Sequence, residues 1–179
     1  MSLEETEDDW FEKASQIRAF EKLMVDEFGK GNVRGTFHTS FGQELASVIL
    51  AHFLDKDDFV FGNHRSHAIY LALSGDFDGL AAEVLGREGA SSSGIGGSQH
   101  LNYGNFYSNG IQGGMCSLAV GAAAKCENLA VALIGDGTLG EGAVYESLNL
   151  ASVLKSNTLF FLEDNSIAQS TISEFQRGG

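Results

Sequence analysis

Apolar residues along this 179-residue chain fall into short runs and helical stripes whose order is typical of an α/β protein. Residues 130–134 and 158–162 are apolar runs with the length of buried strands. Between them, residues 140–154 carry apolar side chains at helical spacing. The order strand, helix, strand predicts a βαβ crossover, which lays the two strands parallel. Both strands should therefore end at the same, carboxyl edge of a sheet.

The same pattern predicts further elements upstream. We expect an amphipathic helix over residues 8–29 and a nearly continuous apolar helix over 41–54, buried on most sides. A strand is expected at 57–61. Shorter helices are expected at 68–73, 78–87 and 115–125. This alternation of helices and strands leads us to expect an α/β fold with a doubly wound, mostly parallel sheet. No internal repeat or second domain boundary is visible, so we expect residues 1–179 to form a single domain.

Composition narrows the function classes. A hydrophobic fraction of 43% with 13 Phe is typical of a packed globular protein. The net charge of −13 opposes binding to nucleic acid or anionic lipid, and no apolar run approaches the roughly 20 residues of a membrane span. The two cysteines, Cys116 and Cys126, form neither a metal-binding motif nor a disulfide framework. Residues 1–9 are acidic, unlike a signal or transit peptide, so we expect a cytoplasmic protein.

The turn Gly135-Asp136-Gly137 after the first of the two strands suggests an anion site. Its glycines allow close backbone approach, and the next helix begins with free N–H groups that favour a diphosphate. A carboxylate beside a diphosphate needs a cation between them, and Mg²⁺ prefers such oxygen ligands. The side chain of Asn165 and the carbonyl of Ile167, after the second strand, are candidate additional ligands.

Gly-Asp-Gly alone also fits a plain hairpin or strand-to-helix turn. The longer pattern is more specific, because 27 residues separate Gly137 from Asn165, which follows an apolar strand. This unit resembles the thiamine-diphosphate signature. Further motifs resemble, in order, the alpha subunit of 2-oxo acid dehydrogenases: Gly42-Gln43-Glu44, Arg65-Ser66-His67, Gly96-Gly97-Ser98-Gln99-His100, Asn105-Phe106-Tyr107, Gly110-Ile111 and Glu163-Asp164-Asn165.

The resemblance covers roughly residues 10–173. It implies a thiamine-diphosphate-binding fold and two cofactors, thiamine diphosphate and Mg²⁺. The cofactor-binding residues that it implies are His64, Arg65, Gly110, Gln112, Asp136, Gly137, Thr138 and Asn165, with Asp136, Asn165 and Ile167 as metal ligands. The implied catalytic residues are His38, His67 and His100.

Several of these positions also have other interpretations. The planar guanidinium of Arg65 suits a diphosphate, which is the favoured role, and a surface ion pair is the alternative. Family members often have tyrosine at the position of His64 and valine at that of Gln112. For His67, a supporting or substrate-contacting role is favoured over direct chemistry. Residues 89–98, GASSSGIGGS, have the composition of a flexible linker but match a family loop that borders the active site, so we expect a functional loop.

The resemblance implies oxidative decarboxylation of a 2-oxo acid with acyl transfer to a lipoyl group. The implied partners are a beta subunit, in an α2β2 assembly, and a lipoyl-bearing acyltransferase. Family alpha subunits continue well past Asn165. We therefore expect a truncated subunit, the front of a split protein, or a longer protein from whose sequence segments are missing. A transketolase-like enzyme and a non-catalytic binding module are the alternative functions.

Overall fold

The computed structural model describes residues 6–172 and Phe175. In chain order, its elements are α1 (Glu7–Gly29), α2 (Glu44–His52), β1 (Phe59–Gly62), α3 (His67–Ser74), α4 (Phe77–Val84), β2 (Asn102–Tyr103), β3 (Phe106–Ser108), α5 (Gly114–Ala123), β4 (Ala130–Gly135), a 3-10 helix (Asp136–Gly140), α6 (Gly142–Leu154), β5 (Thr158–Glu163), β6 (Ile167–Ala168) and β7 (Thr171–Ile172).

The chain divides into two compact units. The first unit consists of the residues up to Leu54 together with Arg65–Tyr103, and the second consists of Asp55–His64 together with the residues from Gly104 onward. Each unit is therefore assembled from two separate chain segments. The expectation of a single domain stays a prediction.

The first unit is a group of packed helices. α1 begins with a capping box, in which the Thr6 hydroxyl accepts a hydrogen bond from the backbone of Asp9 and the Asp9 carboxylate accepts one from the backbone of Thr6. α1 packs against α2, α3 and α4 through a stripe that includes Ile17, Phe20 and Met24.

The second unit contains a parallel sheet. β1 pairs in parallel with β3 on one side and β4 on the other, and β4 pairs in parallel with β5, which gives the order β3–β1–β4–β5. α5 packs on β1, β4 and β5 and contacts α6. The core between them is made of small and apolar side chains, among them Phe61, Cys116, Ala132 and Ile134. The α/β class, the parallel sheet and the βαβ crossover are confirmed, while the doubly wound thiamine-diphosphate-binding fold stays a prediction.

One helix differs from its prediction. α2 spans Glu44–His52, shorter than the predicted 41–54, and only one face of it is buried, through Glu44, Ser47, Val48 and Leu50. Ala46 and His52 are exposed, and the His52 ring lies edge-on to Trp10 with 5.1 Å between ring centroids. The expectation of burial on most sides was wrong, because this helix packs mainly against α1 and α3.

No helix among the described residues combines the length and the apolar character that a membrane crossing requires.

Candidate functional site

The carboxyl edge of the parallel sheet brings together the segment ends that the sequence analysis singled out. β4 ends at Gly135 and β5 at Glu163, and these two residues are register partners in the parallel ladder. The chain therefore enters Asp136 and Asp164 from neighbouring strand ends. Ligands of open α/β sheets bind outside this edge. The prediction that both turns leave the same edge is confirmed.

Asp136 is the first residue of the 3-10 helix and is only 4% exposed. An ionised carboxylate at this depth requires hydrogen bonds or a cation to compensate for lost hydration. The backbone N–H of Glu141 donates to the carbonyl of Thr138 at 3.0 Å, which keeps this segment in the tighter helical form. α6 therefore begins at Gly142, two residues later than predicted, and the 3-10 helix separates it from the Gly-Asp-Gly turn.

Three predicted cofactor-binding residues form one hydrogen-bonded series in the second unit. The Thr138 hydroxyl donates to Oε1 of Gln112 at 2.5 Å. The Nε2 amide group of Gln112 donates to Nδ1 of His64 at 2.8 Å. Thr138 is buried, Gln112 in the middle of the series is exposed, and His64 at its end is half-buried. We call it the Thr138–Gln112–His64 relay.

The relay fixes where the protons lie. The amide nitrogen of Gln112 can only donate, so Nδ1 of His64 must accept, and neutral His64 carries its proton on Nε2. Beside the relay is a cavity of about 10 Å³ lined by residues that include Asn63, Gly113 and Cys116, which is the size of one water molecule. Gly110 and Gly137, whose backbones were predicted to contact cofactor, are both half-buried.

The segment after β5 returns to the turn that holds Asp136. Asn165 is exposed, and its Oδ1 accepts a hydrogen bond of 3.1 Å from the backbone N–H of Ile167. Ile167 belongs to β6, which lies against the 3-10 helix. Within the described residues, no group of three His, Cys, Asp or Glu side chains forms a metal site. The predicted donors are instead one carboxylate, one amide oxygen and one backbone carbonyl, a hard oxygen set that fits Mg²⁺.

A buried network organises the first unit around His67. Its Nδ1 lies 3.2 Å from Oε1 of Glu21, and its Nε2 lies 3.0 Å from the hydroxyl of Ser98. Oε1 of Glu21 also accepts a hydrogen bond of 2.8 Å from the backbone N–H of Ser40. The network therefore joins α1, α3 and two loops.

This order of serine, histidine and glutamate has the connectivity of a hydrolytic triad, but its burial excludes that role. Glu21 and His67 are 0% exposed and Ser98 is 2% exposed, so no substrate reaches the hydroxyl. A nucleophile must be accessible to the atom that it attacks. The geometry thus favours a supporting role for His67, and a catalytic role for it stays a prediction.

His38 lies next to this network. Its backbone N–H donates to the Ser98 hydroxyl at 3.4 Å, and its side chain is half-buried. Burial lowers the pKa of His38 below its ordinary value of 6.5, and the positive charge of Arg65 and then the electrostatic interaction with neighbouring His67 lower this pKa further. His38 is therefore neutral at pH 7, the state in which an imidazole accepts a proton or a hydrogen bond.

Arg65 and His100 complete the predicted residues of the first unit. The guanidinium of Arg65 donates to the carbonyl of Thr39, and the hydroxyl of Ser40 donates to the Arg65 carbonyl at 3.4 Å. His100 is exposed and lines a cleft of about 310 Å³ together with Arg34. Arg65 and His100 both belong to the first unit, and the diphosphate role of Arg65 stays a prediction.

Comparison of the sequence with protein-family models shows which family this chain belongs to. The family model described as Dehydrogenase E1 component matches residues 12–178. The chain belongs to the dehydrogenase E1 component family. The E1 match spans nearly all described elements of both units, and the resemblance inferred from the motifs is confirmed.

Individual E1 relatives support the same assignment. The chain is 34% identical over 173 residues to the alpha subunit of acetoin:2,6-dichlorophenolindophenol oxidoreductase from Cupriavidus necator, covering 92% of this chain and 52% of the relative. It is 33% identical over 184 residues to the Bacillus subtilis protein of the same name, covering 98% and 55%. It is 35% identical over 163 residues to the pyruvate dehydrogenase E1 component subunit alpha of Rhizobium meliloti, covering 87% and 47%. The chain thus spans about half the length of these E1 relatives.

Sequence reasoning about the E1 site missed two residues that the structure makes central, Glu21 and Ser98. Glu21 lies in the apolar stripe of α1, between Ile17 and Met24, and an acidic residue on a buried helical face was an available signal. Ser98 was noted only as part of the Gly96–His100 motif. Its bond to His67 joins residues 31 positions apart, which helical or strand periodicity does not reveal.

Proposed function

We propose that this chain binds thiamine diphosphate together with Mg²⁺ at the carboxyl edge of its parallel sheet. The observation that carries the proposal is the Thr138–Gln112–His64 relay, which begins in the same turn as buried Asp136. A turn after a parallel strand supplies backbone N–H groups to an anion. Asp136 supplies the carboxylate that a bridging cation requires.

The donor set supports Mg²⁺ as that cation. Mg²⁺ takes one or two carboxylates together with phosphate oxygens and water. Asp136 would be the carboxylate ligand, and the Asn165 side chain and the Ile167 carbonyl would be neutral ligands. The approach of β6 to the 3-10 helix supports this grouping, because it brings the segment that carries Ile167 to the turn that carries Asp136.

The relay would orient His64 towards the cofactor. With Nδ1 held by Gln112, the Nε2–H group of His64 is a fixed donor for an anionic oxygen. The Thr138 hydroxyl donates its proton to Gln112, so its oxygen remains able to accept a hydrogen bond. These residues bind and orient, and bound thiamine diphosphate supplies the chemistry of 2-oxo acid decarboxylation.

As part of an alpha subunit, the chain would act in the oxidative decarboxylation of a 2-oxo acid, with acyl transfer to a lipoyl group. Relatives named as alpha subunits support a beta subunit as partner, in an α2β2 assembly, with a lipoyl-bearing acyltransferase as acceptor. His38 and His100 are the candidate groups for substrate, with His67 as support. The family match favours this function over a transketolase-like enzyme.

Calorimetric titration of the purified chain with thiamine diphosphate, with and without Mg²⁺, tests the proposal. We expect binding that requires Mg²⁺ and a loss of at least about tenfold in affinity in Asp136→Asn, because hydrogen bonds and ion contacts to charged groups contribute roughly 1.5–3 kcal/mol each. The matched control is Asp57→Asn, which removes the same charge from an exposed residue before β1, at the opposite edge of the sheet.

The outcomes separate the two parts of the proposal. Equal affinity in Asp136→Asn and the wild type would refute the metal assignment. Absence of binding by the wild type at millimolar cofactor and Mg²⁺ would refute cofactor binding by this chain. Binding without turnover of 2-oxo acids in the presence of a beta subunit would favour the non-catalytic binding module.

A further inference from the structure

The carboxylate of Glu83 is the centre of the Gly/Ser-rich loop of residues 89–98. Glu83 lies near the end of α4 and is 1% exposed. Its Oε2 accepts the backbone N–H groups of Ser92 at 2.6 Å and Gly94 at 3.0 Å. Its Oε1 accepts those of Gly96 at 2.6 Å and Gly97 at 3.0 Å. Four donors from one loop thus converge on one side chain.

These bonds are unusually favourable for both partners. A buried carboxylate is costly without hydrogen bonds, and unpaired backbone N–H groups are costly as well. Hydrogen bonds to an ionised acceptor are roughly twice as strong as bonds between neutral groups. Concave runs of N–H groups of this kind bind free anions in other folds. Here the anion is a side chain of the chain itself.

The composition of the loop follows from this geometry. Gly94 donates its N–H to Glu83 while its φ is +73°, a backbone conformation that strains a residue with a side chain. A Cβ on Gly96 would come within 2.2 Å of the His100 carbonyl and 3.2 Å of Oε1 of Glu83. Glycine is therefore required so that the loop can close around the carboxylate. The same composition read as a linker would have predicted the opposite, a loop without fixed structure.

The closed loop leads directly to the residues of the candidate site. Ser98 follows the last donor, Gly97, and its hydroxyl contacts His67 and accepts the backbone N–H of His38. His100 follows two residues later, and its backbone N–H donates to the carbonyl of Gly96 at 3.2 Å. Glu83 and this loop also line the cleft of about 310 Å³.

We propose that Glu83 is a positioning residue, whose carboxylate folds residues 92–97 around itself and so holds Ser98 and His100 in place before any ligand binds. The roles of His67 and His100 towards substrate rest on the proposed function. The geometry of the loop does not depend on cofactor, so the two proposals fail separately.

Amide hydrogen exchange of the isolated wild-type chain, measured by NMR without cofactor, is the first test. The amides of Ser92, Gly94, Gly96 and Gly97 should exchange at least about tenfold more slowly than in an unstructured peptide, since a bond to a charged acceptor contributes more than one factor of ten. Exchange of all four at the unstructured rate would overturn the proposal, and this measurement requires no variant.

Glu83→Gln is the second test, with Glu88→Gln as its control. Glutamine keeps one acceptor oxygen and turns an NH₂ group towards the loop donors, whereas Glu88 is exposed and loses the same charge. We expect the four amides to exchange about tenfold faster in Glu83→Gln and the imidazole ¹⁵N resonances of His67 to shift, with α3 amides such as Tyr70 unchanged. Glu88→Gln should match the wild type.

Two results would overturn the positioning role. One is unchanged exchange of the loop amides in Glu83→Gln. The other is an equal loss of protection in the loop and in α3, which would make Glu83 a general contributor to the stability of the unit.

Discussion

Asn63 donates a hydrogen bond of 3.2 Å from Nδ2 to Oε2 of Glu163, although 100 residues separate them in the sequence. Asn63 follows β1 and Glu163 ends β5, and β4 lies between these strands. The bond therefore spans the end of β4, where Asp136 begins. It ties together the strand ends on either side of the candidate diphosphate turn.

Replacing Asn63 with Ala should lower the free energy of unfolding by about 1–3 kcal/mol, because half-buried Glu163 loses a donor to its charged carboxylate. Urea denaturation measures the change. Asn102→Ala, at an exposed position in the first unit, is the matched control and should leave the midpoint unchanged. Equal midpoints for both variants would show that the bond does not stabilise the fold.

The Thr138–Gln112–His64 relay makes a prediction about proton location. In the wild type, neutral His64 should carry its proton on Nε2, and Gln112→Leu should release this preference because the donor to Nδ1 is lost. Long-range ¹H–¹⁵N spectra of the imidazoles distinguish the tautomers, with His64→Gln identifying the signal. Gln16→Leu, on the exposed face of α1, should have no effect. A wild-type proton on Nδ1 would contradict the relay as described.

Arg65 should control the protonation of His38. Burial, followed by the positive charge of Arg65, holds the pKa of His38 below 6.5, so Arg65→Gln should raise this pKa towards the ordinary value. An NMR pH titration measures it, and Arg87→Gln, at an exposed position, is the control. If Arg65→Gln leaves the pKa of His38 unchanged, the charge of Arg65 has no part in lowering it.

The lowered pKa of His38 also predicts how the free energy of unfolding changes with pH. The pKa of His38 is lower in the folded than in the unfolded chain, so the unfolded chain binds more protons as pH falls below about 6.5. The free energy of unfolding should therefore decrease on acidification through this range. His38→Gln should flatten that part of the pH dependence.

Glu44 of the Gly42-Gln43-Glu44 motif forms an ion pair with Arg18 that joins α2 to α1, and Nη2 of Arg18 lies 2.8 Å from Oε2. Burial raises the pKa of Glu44, but the bonds from Arg18 and from the backbone outweigh it and leave this pKa below 4.5. Arg18→Met should lower the free energy of unfolding by about 1–3 kcal/mol at pH 7. Lys22→Met, an exposed position on α1, is the control.

The effect of Arg18→Met should also depend on pH. The folded pKa of Glu44 lies below its unfolded value, so its contribution is present above about pH 4.5 and is lost as pH falls through the folded pKa. Denaturation curves of the wild type and Arg18→Met should therefore converge in acid. A constant difference at all pH values would exclude ionised Glu44 as the cause.

Two strands of the second unit, β4 and β5, were predictable because their boundaries are local, whereas β3 at Phe106–Ser108 was not predicted. Predicted strands at 130–134 and 158–162 became Ala130–Gly135 and Thr158–Glu163, each one residue longer. Apolar runs that are bounded by glycine or acidic residues contain most of this information. The helix predicted at 41–54 was too long because the apolar sequence continues to Leu54. In the structure, Phe53 is 73% exposed and is the C-cap of α2.

The hydrogen bonds of the site were not predictable from local pattern. Gln112 meets Thr138 and His64 across 26 and 48 residues, and Glu83 meets loop donors 9 to 14 residues away. Which side chains meet depends on the strand order β3–β1–β4–β5 and on loop closure, neither of which periodicity encodes. Motif resemblance located the residues, and only the fold shows which of them bond to one another.

The division of each unit into two chain segments sets an order for folding during synthesis. The last residue of the first unit is Tyr103, whereas β1 of the second unit pairs with β3 at residues 106–108 and with β4 at 130–135. β1 is therefore synthesised before the strands that pair with it, which follow roughly 45 to 75 residues later in the chain. Such non-local parallel pairing is slow. We expect the nascent helical unit to form first on the ribosome, with β1 as the segment that most needs protection from premature association.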